Sequence, residues 1–100
     1  MPYGLSESTL EKINNVLQRY PQVSKAILYG SRAKGNYREG SDIDLTLCGD
    51  HLNNALLNKI EQDLDDLLLP YLFDISLYHH IDNEDLLKHI DEIGVAIYTN

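Results

Sequence analysis

From Asp42 to Cys48 the chain alternates polar and apolar residues without a break: Asp42, Asp44, Thr46 and Cys48 against Ile43, Leu45 and Leu47. A period of two is the signature of a β-strand, whose successive side chains point to opposite faces. One face of this strand is therefore made for a core. The other carries Asp42 and Asp44 side by side. Two adjacent carboxylates repel, and each raises the other's pKa unless a cation lies between them. A divalent metal is the plainest reason for a chain to build such a pair.

The flanking segments set this strand in a fold. Ser8-Thr9-Leu10-Glu11 has the form of a capping box and predicts a helix starting near Ser8, with Leu10, Ile13, Val16, Leu17 and Tyr20 as its apolar stripe and Pro21 as its stop. Val23 to Tyr29 reads as a strand that runs into Gly30-Ser31. Arg32 to Gly35 is a short helical turn, and residues 36–41 form a loop. Leu52, Ala55, Leu56, Ile60, Leu64, Leu67 and Leu68 trace one face of a long helix that Pro70 ends. Tyr71 to Tyr78 alternates again. Asn83 caps a last helix carrying Leu86, Leu87, Ile90 and Ile93, Gly94 closes it, and Val95 to Tyr98 adds a short edge strand.

This order predicts an α/β (α+β) domain over residues 1–100. The first two strands are antiparallel neighbours, and the helix between the second and third makes a right-handed crossover. The result is a small mixed sheet with helices packed on one face. The acidic residues are left on the other, partly open face.

Asp74 falls on that open face too. It opposes Phe73 and Ile75 just as Asp42 and Asp44 oppose Ile43 and Leu45. If the two strands are neighbours, three carboxylates converge. Oxygen-only ligands suit Mg²⁺ or Mn²⁺, which keep several waters and take phosphate oxygens as further ligands. Gly30-Ser31 suits the phosphates: glycine lets the backbone come close to a ligand, and the serine hydroxyl offers a hydrogen bond. Arg32, Lys34 and Arg38 concentrate positive charge between this turn and the carboxylates. They pair either with phosphate or with Asp42 and Glu39, and Arg32, nearest the turn, is counted with Gly30 and Ser31 as a nucleotide-binding residue.

The stretch from Gly30 to Leu45, with Gly30-Ser31, ten intervening residues and Asp42-Ile43-Asp44, resembles the signature of the DNA polymerase β nucleotidyltransferase superfamily. Within it the chain is similar to the minimal nucleotidyltransferase (MNT) group, and the likeness extends to the Asp74 strand. The resemblance implies a polymerase-β-like core and transfer of a nucleoside monophosphate, usually AMP from ATP, to a hydroxyl with the help of Mg²⁺. It implies Asp42 and Asp44 as metal ligands, Asp74 as the residue that completes the site, and Gly30 and Ser31 as the seat of the triphosphate. It further implies a partner, an all-helical HEPN-family toxin, for which an MNT protein is the antitoxin and on which it adenylylates a tyrosine.

Composition narrows the setting. The formal net charge of −8 argues against non-specific nucleic-acid binding, which needs a basic face, but bound divalent ions would reverse the local field at the site. Cys48 is the only cysteine, which fits a reducing, cytoplasmic setting without disulfides or a cysteine-built zinc site. No apolar run reaches membrane-spanning length, and the first residues lack the layout of a signal peptide. So small a chain has no surfaces to grip primer, template and base, so the acceptor must be presented by something else. Two rivals stand beside the adenylylating antitoxin: a protein that neutralises its partner by contact alone, and an enzyme acting on a small molecule such as an aminoglycoside. Tyr29 and Tyr78 either stack on a nucleobase or pack in the core. Asp63, Asp65 and Asp66 read as a solvated helix face.

Overall fold

In the computed structural model, which describes all 100 residues, the alternating segment is strand β2 (Ile43–Cys48), an interior strand of a four-stranded sheet. The other strands are β1 (Lys25–Tyr29), β3 (Phe73–Leu77) and β4 (Val95–Thr99), in the spatial order β3-β2-β1-β4. The helices are α1 (Glu7–Gln18), α2 (Ser31–Lys34), α3 (Asn54–Asp65) and α4 (Glu84–Ile93). Short 3₁₀ turns occupy Pro2–Gly4 and Tyr78–His80. β1 pairs antiparallel with both β2 and β4, while β2 and β3 run parallel across the α3 connection. The sheet is mixed, as the element order predicts, and β4 is an edge strand.

Alternation then decides what each face holds. Ala26, Leu28, Ile43, Leu45, Leu47, Ile75 and Leu77 form the apolar face, buried with Ile13, Val16 and Leu17 of α1 and Ile60 and Leu64 of α3. Burying a side chain of this size is worth roughly 1.5–3 kcal/mol, so this layer is the main source of stability. α4 starts where Asn83 predicts, its side chain accepting a hydrogen bond from the Leu86 N–H, and Asn53, which the sequence reading did not single out, caps α3 in the same way by accepting from the Leu56 N–H.

Three details differ from the sequence reading. α1 is capped by Ser6, not Ser8: the Ser6 Oγ accepts from the Thr9 N–H at 3.1 Å. The reason lies one residue earlier. Leu5 is fully buried, and Leu5 and Leu10 occupy the two positions of a hydrophobic staple, which fixes where the chain enters the helix. α3 stops at Asp65, and Leu68, in a left-handed conformation (φ 56°), is 89% exposed instead of extending the apolar stripe. Asp63 is no mere solvated charge. It accepts a hydrogen bond from the Tyr20 hydroxyl and lies 3.9 Å from Arg19, tying the end of α1 to α3.

The helices are also shared between the faces. α1 and α3 cover the apolar face, but α4 lies over β1 on the opposite, acidic face. Its Ile90 is buried, and Gly94 sits so close to Ile27 that a Cβ there would press on the isoleucine side chain. Topology explains this. β3 and β4 are the two outer strands, so the connection between them must cross the sheet, and α1 and α3 already fill the apolar face.

Candidate active site

The backbone leaving β1 makes the first element of the site. Gly30 has φ 75° and ψ −153°, a conformation that is essentially reserved for glycine. Space reserves it as well: a Cβ on Gly30 would overlap Oδ2 of Asp44. The turn and the first carboxylate are thus packed against each other.

Sheet register supplies the rest. Asp44 pairs across β1 with Tyr29 and across β3 with Asp74, so the two aspartates sit abreast on neighbouring parallel strands. Asp42 precedes β2 by one residue and is exposed, as is Asp74, while Asp44 is half-buried. Burial pushes the Asp44 carboxyl above its usual pKa, and the charges of Asp74 and Asp42 push it further, against the opposing pull of His89 and Arg32. Asp74 and Asp42 therefore both act on Asp44 at one end of the sheet.

These residues do not form a finished metal cage, since no three His, Cys, Asp or Glu side chains are close enough together to hold an ion unaided. The donor set still fits Mg²⁺ or Mn²⁺. It consists of oxygen only, it is partly open to water, and its central carboxyl carries a repulsion that a cation would remove. Such ions take one or two carboxylates from a protein and complete their shell with water and substrate phosphate. Asp42, Asp44 and Asp74 are the residues that could hold them.

Arg32 has another task. Its side chain is 2% exposed; Nε and Nη2 donate to the Ser41 carbonyl at 3.1 and 2.8 Å, and Nη1 donates to the carbonyls of Tyr3 and Gly4 at 3.0 and 3.5 Å. Its guanidinium also lies over the rings of Tyr71 and Tyr37, 4.8 and 5.5 Å from their centroids. Four of its five N–H donors are spent inside the protein. Arg32 fastens the N-terminal segment to the loop before β2 and is not placed to grip a phosphate. The residues around it line the largest cleft, about 520 Å³, with Gly4, Tyr37, Arg38, Gly40 and Tyr71, whereas the carboxylates lie on an open part of the sheet outside it.

The site contains a residue that motif reading passed over. His89 of α4 accepts a hydrogen bond from the Gly30 N–H through Nε2 at 2.9 Å and meets the Tyr29 ring edge-on, with centroids 6.2 Å apart. A sequence signal existed. His89 falls with Leu86, Ile90 and Ile93 at helical spacing, a polar residue set in an apolar stripe. Tyr29 is buried here, its phenol pushed up by burial, lowered by the Ser76 hydroxyl, and raised again by Asp74 and Asp44. Tyr78 is taken up elsewhere, donating to Asp91 at 2.9 Å. Beneath the acids, Ser76 Oγ donates to Thr46 Oγ1 at 3.1 Å, which ties β2 to β3 just beyond the Asp44–Asp74 pair.

Comparison with known proteins bears on the fold and the family. Residues 11–100 match the profile of the family described as polymerase beta, nucleotidyltransferase. Among solved structures, the fold matches a chain of a toxin–antitoxin complex with AMP-PNP at 21% identity, with 96% of this chain and 75% of that chain covered and a TM-score of 0.72. It also matches a chain of the complex between the tri-AMPylated HEPN toxin of Shewanella oneidensis and its MNT antitoxin, at 18% identity, 96% and 74% coverage and a TM-score of 0.71. A chain of the MntA–HepT toxin–antitoxin complex matches at 18% identity, 95% and 74% coverage and a TM-score of 0.71. No curated protein matches the chain. At these identities the solved structures establish the shared fold, while the profile spans nearly the whole chain, and this protein therefore belongs to the polymerase beta nucleotidyltransferase family.

Proposed function

We propose that this protein moves AMP from ATP to a hydroxyl of a partner protein, a tyrosine of a HEPN-family toxin, and so serves as the antitoxin of the pair. One observation carries the reading: Asp44 is abreast of Asp74 and packed against Gly30, so that a phosphate turn and a pair of acids meet at one point. Two further points support it. The family is one of nucleotidyltransferases, and the matching folds come from complexes with AMP-PNP and with an AMPylated toxin.

In this scheme Gly30 and Ser31 seat the triphosphate, and Asp42 and Asp44 hold divalent metal. Mg²⁺ or Mn²⁺, when bound, neutralises the phosphates and stabilises the charge that builds up during transfer. Asp74, on the exposed strand, takes the proton of the acceptor hydroxyl as its oxygen bonds to the α-phosphorus. The bond from that phosphorus to the bridging oxygen of the β-phosphate breaks, and pyrophosphate leaves. The acids lie on the part of their sheet face that α4 leaves open, where a second protein can cover them, which suits an acceptor carried by a partner.

The test is incubation of the protein with Mg²⁺, ATP labelled at the α-phosphate, and the protein with which it co-purifies. Label on a tyrosine of that partner is expected. Label that appears only on an added aminoglycoside would assign a small-molecule enzyme, and silencing of the partner with no label on it would assign neutralisation by contact.

A further inference from the structure

The Gly30 N–H is a backbone donor of the proposed phosphate seat, and it is already in use. It donates to Nε2 of His89, 59 residues away in sequence, across the gap between α4 and the end of β1. The accepting nitrogen, Nε2, offers its lone pair to that N–H. An acceptor lone pair 2.9 Å from that N–H stands where a phosphate oxygen would stand.

We infer that His89 is an affinity-setting residue of the nucleotide site: it fills the place of a phosphate oxygen on Gly30 and is exchanged for the triphosphate when ATP binds. This rests on the triphosphate seat proposed above. The construction around His89 favours exchange over a fixed structural role. The imidazole is only half-buried, and it meets Tyr29 by the ring edge. α4 is anchored independently by Ile90, by the close fit of Gly94 on Ile27, and by the Tyr78–Asp91 hydrogen bond. The side chain can therefore swing away while the helix stays. Exchange leaves no buried donor unpaired, because the N–H passes from one acceptor to the next.

The consequence is opposite in sign to that of an ordinary ligand residue. Removing a phosphate ligand weakens binding, whereas removing a competitor strengthens it. Binding of AMP-PNP with Mg²⁺, measured by calorimetry for wild type, His89→Ala and His89→Gln, separates the two. His89→Ala is expected to bind about three- to tenfold more tightly, the size of one neutral hydrogen bond lost from the free state. His89→Gln, which keeps an acceptor, is expected to stay closer to wild type. Equal or weaker binding by His89→Ala overturns the inference while leaving the nucleotide site intact. No binding by either wild type or His89→Ala overturns the triphosphate seat itself. A measurement on the unaltered protein guards against a misfolded variant. In a nuclear magnetic resonance titration with AMP-PNP, the Gly30 amide and the His89 ring nitrogens should shift together with one dissociation constant. A His89 ring that stays put at saturation contradicts the exchange.

Discussion

The carboxylate of Asp44 lies where a side chain on Gly30 would begin, so that any other residue at position 30 must displace it. A conformational need and a packing need thus fall on one residue, and they can be separated by comparing two glycines. Gly35 also has a positive φ, 93°, but open space around it. Gly35→Ala should cost about 1–2 kcal/mol, the strain of a left-handed side chain alone. Gly30→Ala adds displacement of Asp44 and should cost at least about 1–3 kcal/mol more, with loss of nucleotide transfer. Urea unfolding midpoints measure the difference, and equal costs would mean that the Asp44 contact carries no weight.

Asp44 predicts a pH dependence whose sign is fixed by its surroundings. Its folded-state pKa lies above the ordinary value of 3.8, so folding disfavours the ionised form. The penalty is absent below the unfolded value, grows as pH rises past it, and is complete above the raised value. In metal-free buffer Asp44→Asn removes that penalty, so its stability should gain on wild type as pH climbs from about 3 to neutrality. Thermal unfolding at a series of pH values checks this. A gap that narrows with rising pH would contradict it.

Arg32 predicts damage to the fold, not to phosphate binding. Arg32→Ala strips the carbonyls of Tyr3, Gly4 and Ser41 of their donor and removes a cation from two tyrosine rings, and should cost about 2–4 kcal/mol. Arg32→Lys should recover only part of that, because an ammonium cannot reproduce the planar fork that reaches two separate segments. Denaturation curves of both variants provide the check, and a lysine variant as stable as wild type would contradict the role.

Asp74 predicts a separation of binding from chemistry. Asp74→Asn leaves Gly30, Ser31 and Asp44 in place and should bind ATP within about threefold of wild type, while transfer falls by about 10²-fold or more. Equilibrium binding and initial transfer rates, measured on the same preparation, decide the matter. Transfer that survives would move proton acceptance to another group.

The parts of this account legible in the sequence are those governed by short-range periodicity. Alternation placed Asp42, Asp44 and Asp74 on one face opposite Ile43, Leu45 and Ile75, because a strand leaves side chains no other choice. It could not reveal that Asp44 and Asp74 are partners in register, since pairing depends on how the α3 crossover returns the chain. Arg32 misled because a cation beside a phosphate-type turn looks like a ligand, while its true partners are carbonyls, and carbonyls of Tyr3 or Ser41 leave no mark on a sequence. The position of α4 was hidden for a similar reason. Its apolar stripe shows that it packs, but only the strand order shows that it must cross the acidic face. His89 reaches Gly30 as a consequence of that crossing.

Mn²⁺ reports directly on whether Asp42 and Asp44 hold a divalent ion beside Gly30, with Asp74 of the neighbouring strand next to it. Added to the isotopically labelled protein with AMP-PNP, Mn²⁺ broadens amide signals near the ion. Amides at 42–44 and 73–75 should broaden together at the lowest Mn²⁺ additions, and Asp44→Asn should abolish the effect at both strands. Broadening centred on Asp63, Asp65 and Asp66, or at β2 with Asp74 untouched, would contradict this placement of the ion.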